Sequence, residues 1–244
     1  MQRATLVRGS SALAVLVVPL ILVLCAWTRV APGRGGPHHD ERQIQGFRVL
    51  VSKTLLAREA ALAKQALREL ENQLYLVSRA VPGPALEKLR EVPIWLSHES
   101  KTSCAAYHPS REFLATHAGY DERMAKAVEI GSAANFVAWT RIQPYMVLHE
   151  LAHAYHDRVL GFDHEGIRAA FARATADPRW REVLHADGAR RAHYALTDEK
   201  EWFAEASEAL LGTNDFFPFV RAELRELDPQ GEELCARLWG LPGR

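Results

Sequence analysis

The sequence predicts one α+β domain behind a short N-terminal address segment, and three observations carry that expectation. Stretches with strand character, residues 44–51 and 92–97, fall early in the chain. From Pro144 onward, helical periodicity dominates. An unbroken apolar run, residues 12–27, stands at the N terminus behind Arg3 and Arg8. Strands early and helices late give an α+β layout rather than an alternating α/β one.

Composition bounds the function. The chain has 244 residues, 48% of them hydrophobic and 25% charged, enough to fill one sizeable core and too apolar for a disordered chain. Lys+Arg and Asp+Glu each number 30, and no Arg-rich run with interleaved aromatics occurs, which argues against a nucleic-acid partner. The cysteines, Cys25, Cys104 and Cys235, lack C-x-x-C spacing and are too few for a disulfide framework.

Residues 1–31 contain Arg3, Arg8 and Arg29 and no acid, the pattern of a signal peptide or an N-terminal membrane anchor. Sixteen apolar residues rise about 24 Å as a helix, short of the roughly 30 Å hydrocarbon core. Basic residues ahead of the run place the rest of the chain outside the cytoplasm, secreted or membrane-anchored. There a Cys104–Cys235 disulfide could form, although isolated cysteines are as often free and buried. Residues 32–43, rich in Gly and Pro, read as a linker, and residues 44–244 as the folded domain.

Within that domain, residues 44–51 (IQGFRVLV) suggest a strand from their β-branched content. Residues 55–77 change period, with Leu55, Leu62, Leu67, Leu70, Leu74 and Val77 on one face of a long helix that residues 81–84 (VPGP) end. Residues 92–97 give a second strand and residues 129–139 a third. Helices follow at 145–159, 165–175 and 198–211, with short ones at 220–227 and 232–238. Trp95, Trp139, Trp180 and Trp239 are expected in the core, and the pair Tyr107–His108 in packing or at the surface.

The chemistry begins at His149. His149-Glu150-Leu151-Ala152-His153 is an H-E-x-x-H motif inside a helical pattern, flanked by apolar Val147, Leu148, Leu151 and Ala152. Residues i and i+4 differ by about 40° around the helix, so both imidazoles can reach one ion, while Glu150 stands about 100° round from His149, near a metal-bound water. Such a site makes a hydrolytic Zn2+ centre with Glu150 as general base.

A third protein ligand is needed. His156 stands about 10.5 Å from His149 along the axis, too far for one ion to collect all three rings, and is expected at a partly exposed helix end. Position 159 is Val159, which excludes the longer three-histidine pattern of the metzincins. Glu201 and Glu205, spaced i, i+4 around Trp202 and Phe203, are better candidates.

Taken together, H-E-L-A-H, Tyr194 and the segment Glu201-Trp202-Phe203-Ala204-Glu205 resemble the gluzincin metallopeptidases. Within them the likeness is to the group containing the catalytic domain of anthrax lethal factor and the Pro-Pro endopeptidases. It covers roughly residues 145–211 and implies a zincin-like fold. It also implies that His149, His153 and Glu201 bind zinc, that Glu150 is the base, and that Tyr194, seven residues before Glu201, donates to the oxyanion. Glu205 would then accept from a ligand imidazole and fix its tautomer. In zincins the substrate lies along an edge strand just ahead of the metal helix, for which residues 129–137 stand in the right place. The function expected is an exported zinc metallopeptidase acting on a peptide or protein substrate, with membrane tethering through residues 12–27 if the segment is an anchor. Its rivals are a non-catalytic zinc-stabilised binding module and a zinc amidase acting on a non-peptide amide. The sequence does not set substrate, oligomeric state or pathway.

Overall fold

A computed structural model describes residues 38–98 and 100–242. The expected signal or anchor segment lies outside these residues. Strand β1 (His39–Ile44) pairs antiparallel with β2 (Phe47–Ser52), and the turn residues Gln45 and Gly46 both have positive φ, 52° and 85°. Such a turn matches the twist of a hairpin, and glycine adopts it without a Cβ penalty. Of the linker expected at 32–43, the part from His39 onward is strand, and residues 32–37 lie outside the described residues. Charged His39–Ile44 (HDERQI) is held by backbone pairing at a sheet edge, where charged side chains are tolerated, so hydropathy gives no sign of it.

Helices α1 (Lys53–Arg58) and α2 (Ala60–Ala80) replace the single long helix expected. The chain breaks at Glu59, whose φ and ψ are −129° and 51°, and the Ser52 side chain caps α1. Pro84 lies in the first turn of α3 (Gly83–Arg90), the position where its missing N–H costs nothing. Next come β3 (Ile94–Leu96), β4 (Ala105–Tyr107), α4 (Arg111–Thr116), β5 (Val128–Ile130) and α5 (Ala133–Trp139). The third strand, expected at 129–139, is thus only three residues long. Ser132 caps the N terminus of α5 by accepting from the Asn135 N–H, and the chain turns helical there.

Helix α6 (Met146–Tyr155) continues into a π-helical turn, His156–Leu160, that ends at Gly161 with φ 84°. Then follow α7 (Glu165–Ala176), a small ribbon of β6 (Val183–Leu184) and β7 (Arg190–Arg191), α8 (Glu199–Leu211), α9 (Arg221–Leu227) and α10 (Pro229–Leu238). Among the described residues no helix is long and apolar enough to cross a membrane.

The main sheet has the order β1-β2-β3-β5-β4, parallel at its centre and antiparallel at both edges, so the fold is α+β with a small mixed sheet. Side chains alternate across it. Phe47, Val49, Val51, Ile94, Leu96, Val128 and Ile130 join the main core with Leu70 and Leu74 of α2, Leu148 and Leu151 of α6, and Trp202 and Phe203 of α8. The opposite face carries Leu50 and Trp95 under Leu114 and Met124. Trp95, Trp180 and Trp239 are buried as expected, whereas Trp139 is 48% exposed and not a core residue. Cys104 and Cys235 are both free and buried.

The fold places α6 in the core, packed chiefly on α8. The N terminus of α6 has no side-chain cap of its own. Gln73, buried on α2, supplies the bonds instead. Its amide donates to the Pro144 carbonyl at 2.6 Å and accepts from the Val147 N–H at 3.3 Å.

Candidate metal centre

Helix α6 turns one face toward α8, and both expected histidines lie on it. His149 is 5% exposed, and its ring sits edge-on to His153 with centroids 4.8 Å apart. Asp198 caps α8 by accepting from the N–H groups of Lys200 and Glu201, which fixes the turn that presents Glu201. The carboxylate oxygen Oε2 of Glu201 stands 3.0 Å from His149 Nε2 and 3.4 Å from His153 Nε2. One nitrogen from each histidine and one oxygen from Glu201 therefore lie within 4.8 Å of one another. These groups could hold a metal ion.

The structure places Glu208 nearer than Glu205 to the position expected for Glu205. The bond to His149 Nδ1 is made by Glu208, whose Oε1 lies 2.7 Å away and also accepts from the Gln143 amide at 3.0 Å. Glu205 Oε1 stands 3.5 Å from the same nitrogen, and Oε2 lies 3.7 Å from His193 Nδ1. The reason is helical phase. Glu208, seven residues after Glu201, returns to the α6-facing side two turns along, directly behind the His149 ring. The spacing 201, 205, 208 on one helix was the available signal, and attention to the shorter E-x-x-x-E segment passes over its last member.

Glu150 faces the cleft, and its Oε2 accepts from the Tyr107 N–H at 2.7 Å. Tyr107 is therefore more than packing. Its backbone holds Glu150, and its hydroxyl donates to Asp157 at 2.6 Å, where Lys126 also pairs. His108, the next residue, bonds buried Glu129 at 2.8 Å. The edge strand beside α6 is accordingly β4, and the expectation of that role for residues 129–137 is corrected, since β5 lies between β3 and β4. Tyr194 opens a 3-10 turn just ahead of α8. It is 46% exposed, with its ring centroid 6.5 Å from that of His149. His156 is fully buried against Phe162 and Phe203 rather than at an exposed helix end, and burial pushes its pKa down to about 4.

The two ends of α8 differ electrostatically. Burial acts to raise the Glu201 pKa, but hydrogen bonds from His149 and His153 outweigh it and hold the carboxylate well below its usual range. Burial acts to lower the His149 pKa and is overcome by Glu201 and Glu208, so the net shift is upward. Glu205 and Glu208 are both raised, by burial first and then by neighbouring carboxylates, including that of Asp215. Burial takes His193 down to about 3. The site thus joins a carboxylate whose pKa is held low at its mouth to buried acidic groups beneath it whose pKa values are raised. His149, Glu150, His153, Tyr194, Glu201, Glu205 and Asp215, together with β4, Trp139 and Phe216, line a cleft of about 520 Å³.

No family model, curated protein or solved structure matches the chain, so the reading of this site rests on its residues and their geometry.

Proposed function

We infer that this chain is an exported, zinc-dependent metallopeptidase of zincin type, as the likeness to the gluzincins implies. The observation that supports it is the convergence of His149, His153 and Glu201 with Glu150 beside them on one cleft. The donor set suits zinc, which takes imidazole nitrogen and carboxylate oxygen at about 2.0–2.2 Å. Tetrahedral bonds of that length separate donors by about 3.3 Å, and the separations here are 3.0 and 3.4 Å. Bound by these three residues, zinc would polarise a carbonyl and make a water acidic near neutral pH.

The chain's own residues then have distinct tasks. Glu208 accepts from His149 Nδ1, which leaves the Nε2 lone pair for the centre. Glu150, oriented by the Tyr107 N–H, takes the proton from the attacking water and passes it to the leaving amine. Tyr194, half-exposed at the cleft, donates its phenol hydrogen to the oxyanion. The outer edge of β4 offers backbone groups to an extended peptide. The test is elemental analysis of the purified protein joined to cleavage of a peptide library, with Glu150→Gln as control. The expected result is about one zinc per chain and cleavage lost in the control with metal retained. Absence of bound transition metal from protein prepared with zinc would sink the reading.

A further inference from the structure

The metal and the general base do not use everything that the cleft presents. Three of the four tryptophans first assigned to the core are 1–4% exposed, and the fourth, Trp139, is 48% exposed on the cleft wall. Leaving an indole half in water forgoes much of the stabilisation that burial would give it, so its position is informative. Trp139 is the last residue of α5, which Ser132 caps at its other end and Phe136 anchors in the core, so the indole is carried on a fixed element.

The rest of the wall has the same character. Ala105 and Ala106 of β4, Met146 at the start of α6 and Phe216 are apolar or small. Among the described residues, every ionisable side chain on the cleft other than buried Cys104 and Asp215 belongs to the site described above, and no Lys or Arg lines it. Burial pushes the Cys104 thiol up to about 12 and raises the Asp215 pKa, so neither presents an ordinary exposed charge. An acidic side chain seated beside Trp139 would meet the indole and small apolar side chains, with no Lys or Arg there to pair with it. An apolar one would gain contact with the indole.

We propose that Trp139 is a specificity-determining residue of the cleft, selecting extended peptides that present a large apolar side chain, aromatic or branched aliphatic, beside the scissile bond and rejecting acidic ones there. This rests on the metallopeptidase reading for the cleavage step, whereas recognition by Trp139 can be measured without it. Seated in this way, the side chain covers the indole and the small residues Ala105 and Ala106 leave room for the peptide backbone along β4.

The test uses the full-length protein and its Trp139→Ala and Trp139→Phe variants, with thermal unfolding as a check of folding. In one arm, peptide libraries randomised around the cleaved bond report kcat/KM. In the other, fluorescence anisotropy reports binding of labelled Leu-, Phe-, Ala- and Asp-containing peptides in the Glu150→Gln background. We expect Trp139→Ala to lower kcat/KM and affinity for Leu and Phe peptides about tenfold or more. Ala peptides should change less than about threefold, and Trp139→Phe should restore most of the loss. Unchanged selectivity in Trp139→Ala, or a wild-type preference for acidic residues, overturns the proposal. Selective binding of apolar peptides without any cleavage would retain it and overturn the peptidase reading instead.

Discussion

At the scale of single residues, the candidate centre separates groups that could bind a metal ion from groups that hold them in place. Glu201 touches both imidazoles, Glu208 bonds the far nitrogen of one, and Glu205 touches neither so closely. Zinc titration against a competing chelator should therefore show the largest loss of affinity in Glu201→Gln. Glu208→Gln should lose about 10 to 100-fold, as for partners that orient a ligand, and Glu205→Gln less than Glu208→Gln. A loss in Glu205→Gln larger than in Glu208→Gln would reverse the assignment of the supporting carboxylate. Tyr194→Phe keeps every metal donor and removes one hydrogen-bond donor. Its zinc content and thermal unfolding should match the wild type, while turnover slows by about 2.7–4 kcal/mol of barrier. Unchanged kcat would return Tyr194 to a packing role.

At the scale of elements, the helix α6 is positioned by its neighbours. Gly212, just past α8, lies against the Tyr145 ring, and a Cβ built there would stand 2.3 Å from a ring carbon. Gly212→Ala should displace Tyr145, the residue before α6, and cost about 1–3 kcal/mol in denaturant unfolding while weakening metal binding. Glu129 secures the edge strand by accepting from His108 and Thr102. Burial raises its pKa, but these hydrogen bonds, with one from Ser100, win and lower it. A carboxyl lowered in the folded state stabilises above its unfolded pKa near 4.5 and loses that contribution as pH falls. Glu129→Gln should thus unfold more easily at pH 7 by about 1–3 kcal/mol, with the gap narrowing below about pH 4.5. An equal gap at pH 7 and below about pH 4.5 would disprove this hydrogen-bond account.

The sequence showed α7 and α8 nearly to the residue, because each carries an N-terminal side-chain cap and an apolar stripe, and it showed α6 from its apolar stripe alone, with the expected end at 156–159 being π-helical. It also pointed to His149, Glu150 and His153, because a helical spacing converts directly to a shared face, whereas spacing left Glu201 and Glu205 both open and the likeness to the gluzincins chose Glu201. It did not show β1, whose pairing is carried by backbone, or α5, whose Ala-rich start reads equally as strand. The bonds from Gln73, Tyr107 and Glu208 were hidden for another reason. Each joins elements 43 to 74 residues apart, and no local pattern encodes a contact that only the assembled fold creates.

At the scale of the molecule, the described residues belong to one compact unit. The apolar run at 12–27 behind Arg3 and Arg8 supports export. A reporter active only outside the cytoplasm, fused after Arg244, should be active, and a fusion active only in the cytoplasm would refute that location. The donors of the centre are divided between α6 and α8, with 52 residues separating His149 from Glu201. That separation sets a clock. A chain crossing a membrane in extended form carries its two histidines with no carboxylate at hand to complete the set. On the proposed reading such a chain is inert, and hydrolysis begins only after the last third of the protein has arrived and α8 has docked. On that reading an export machinery would meet no active enzyme in transit.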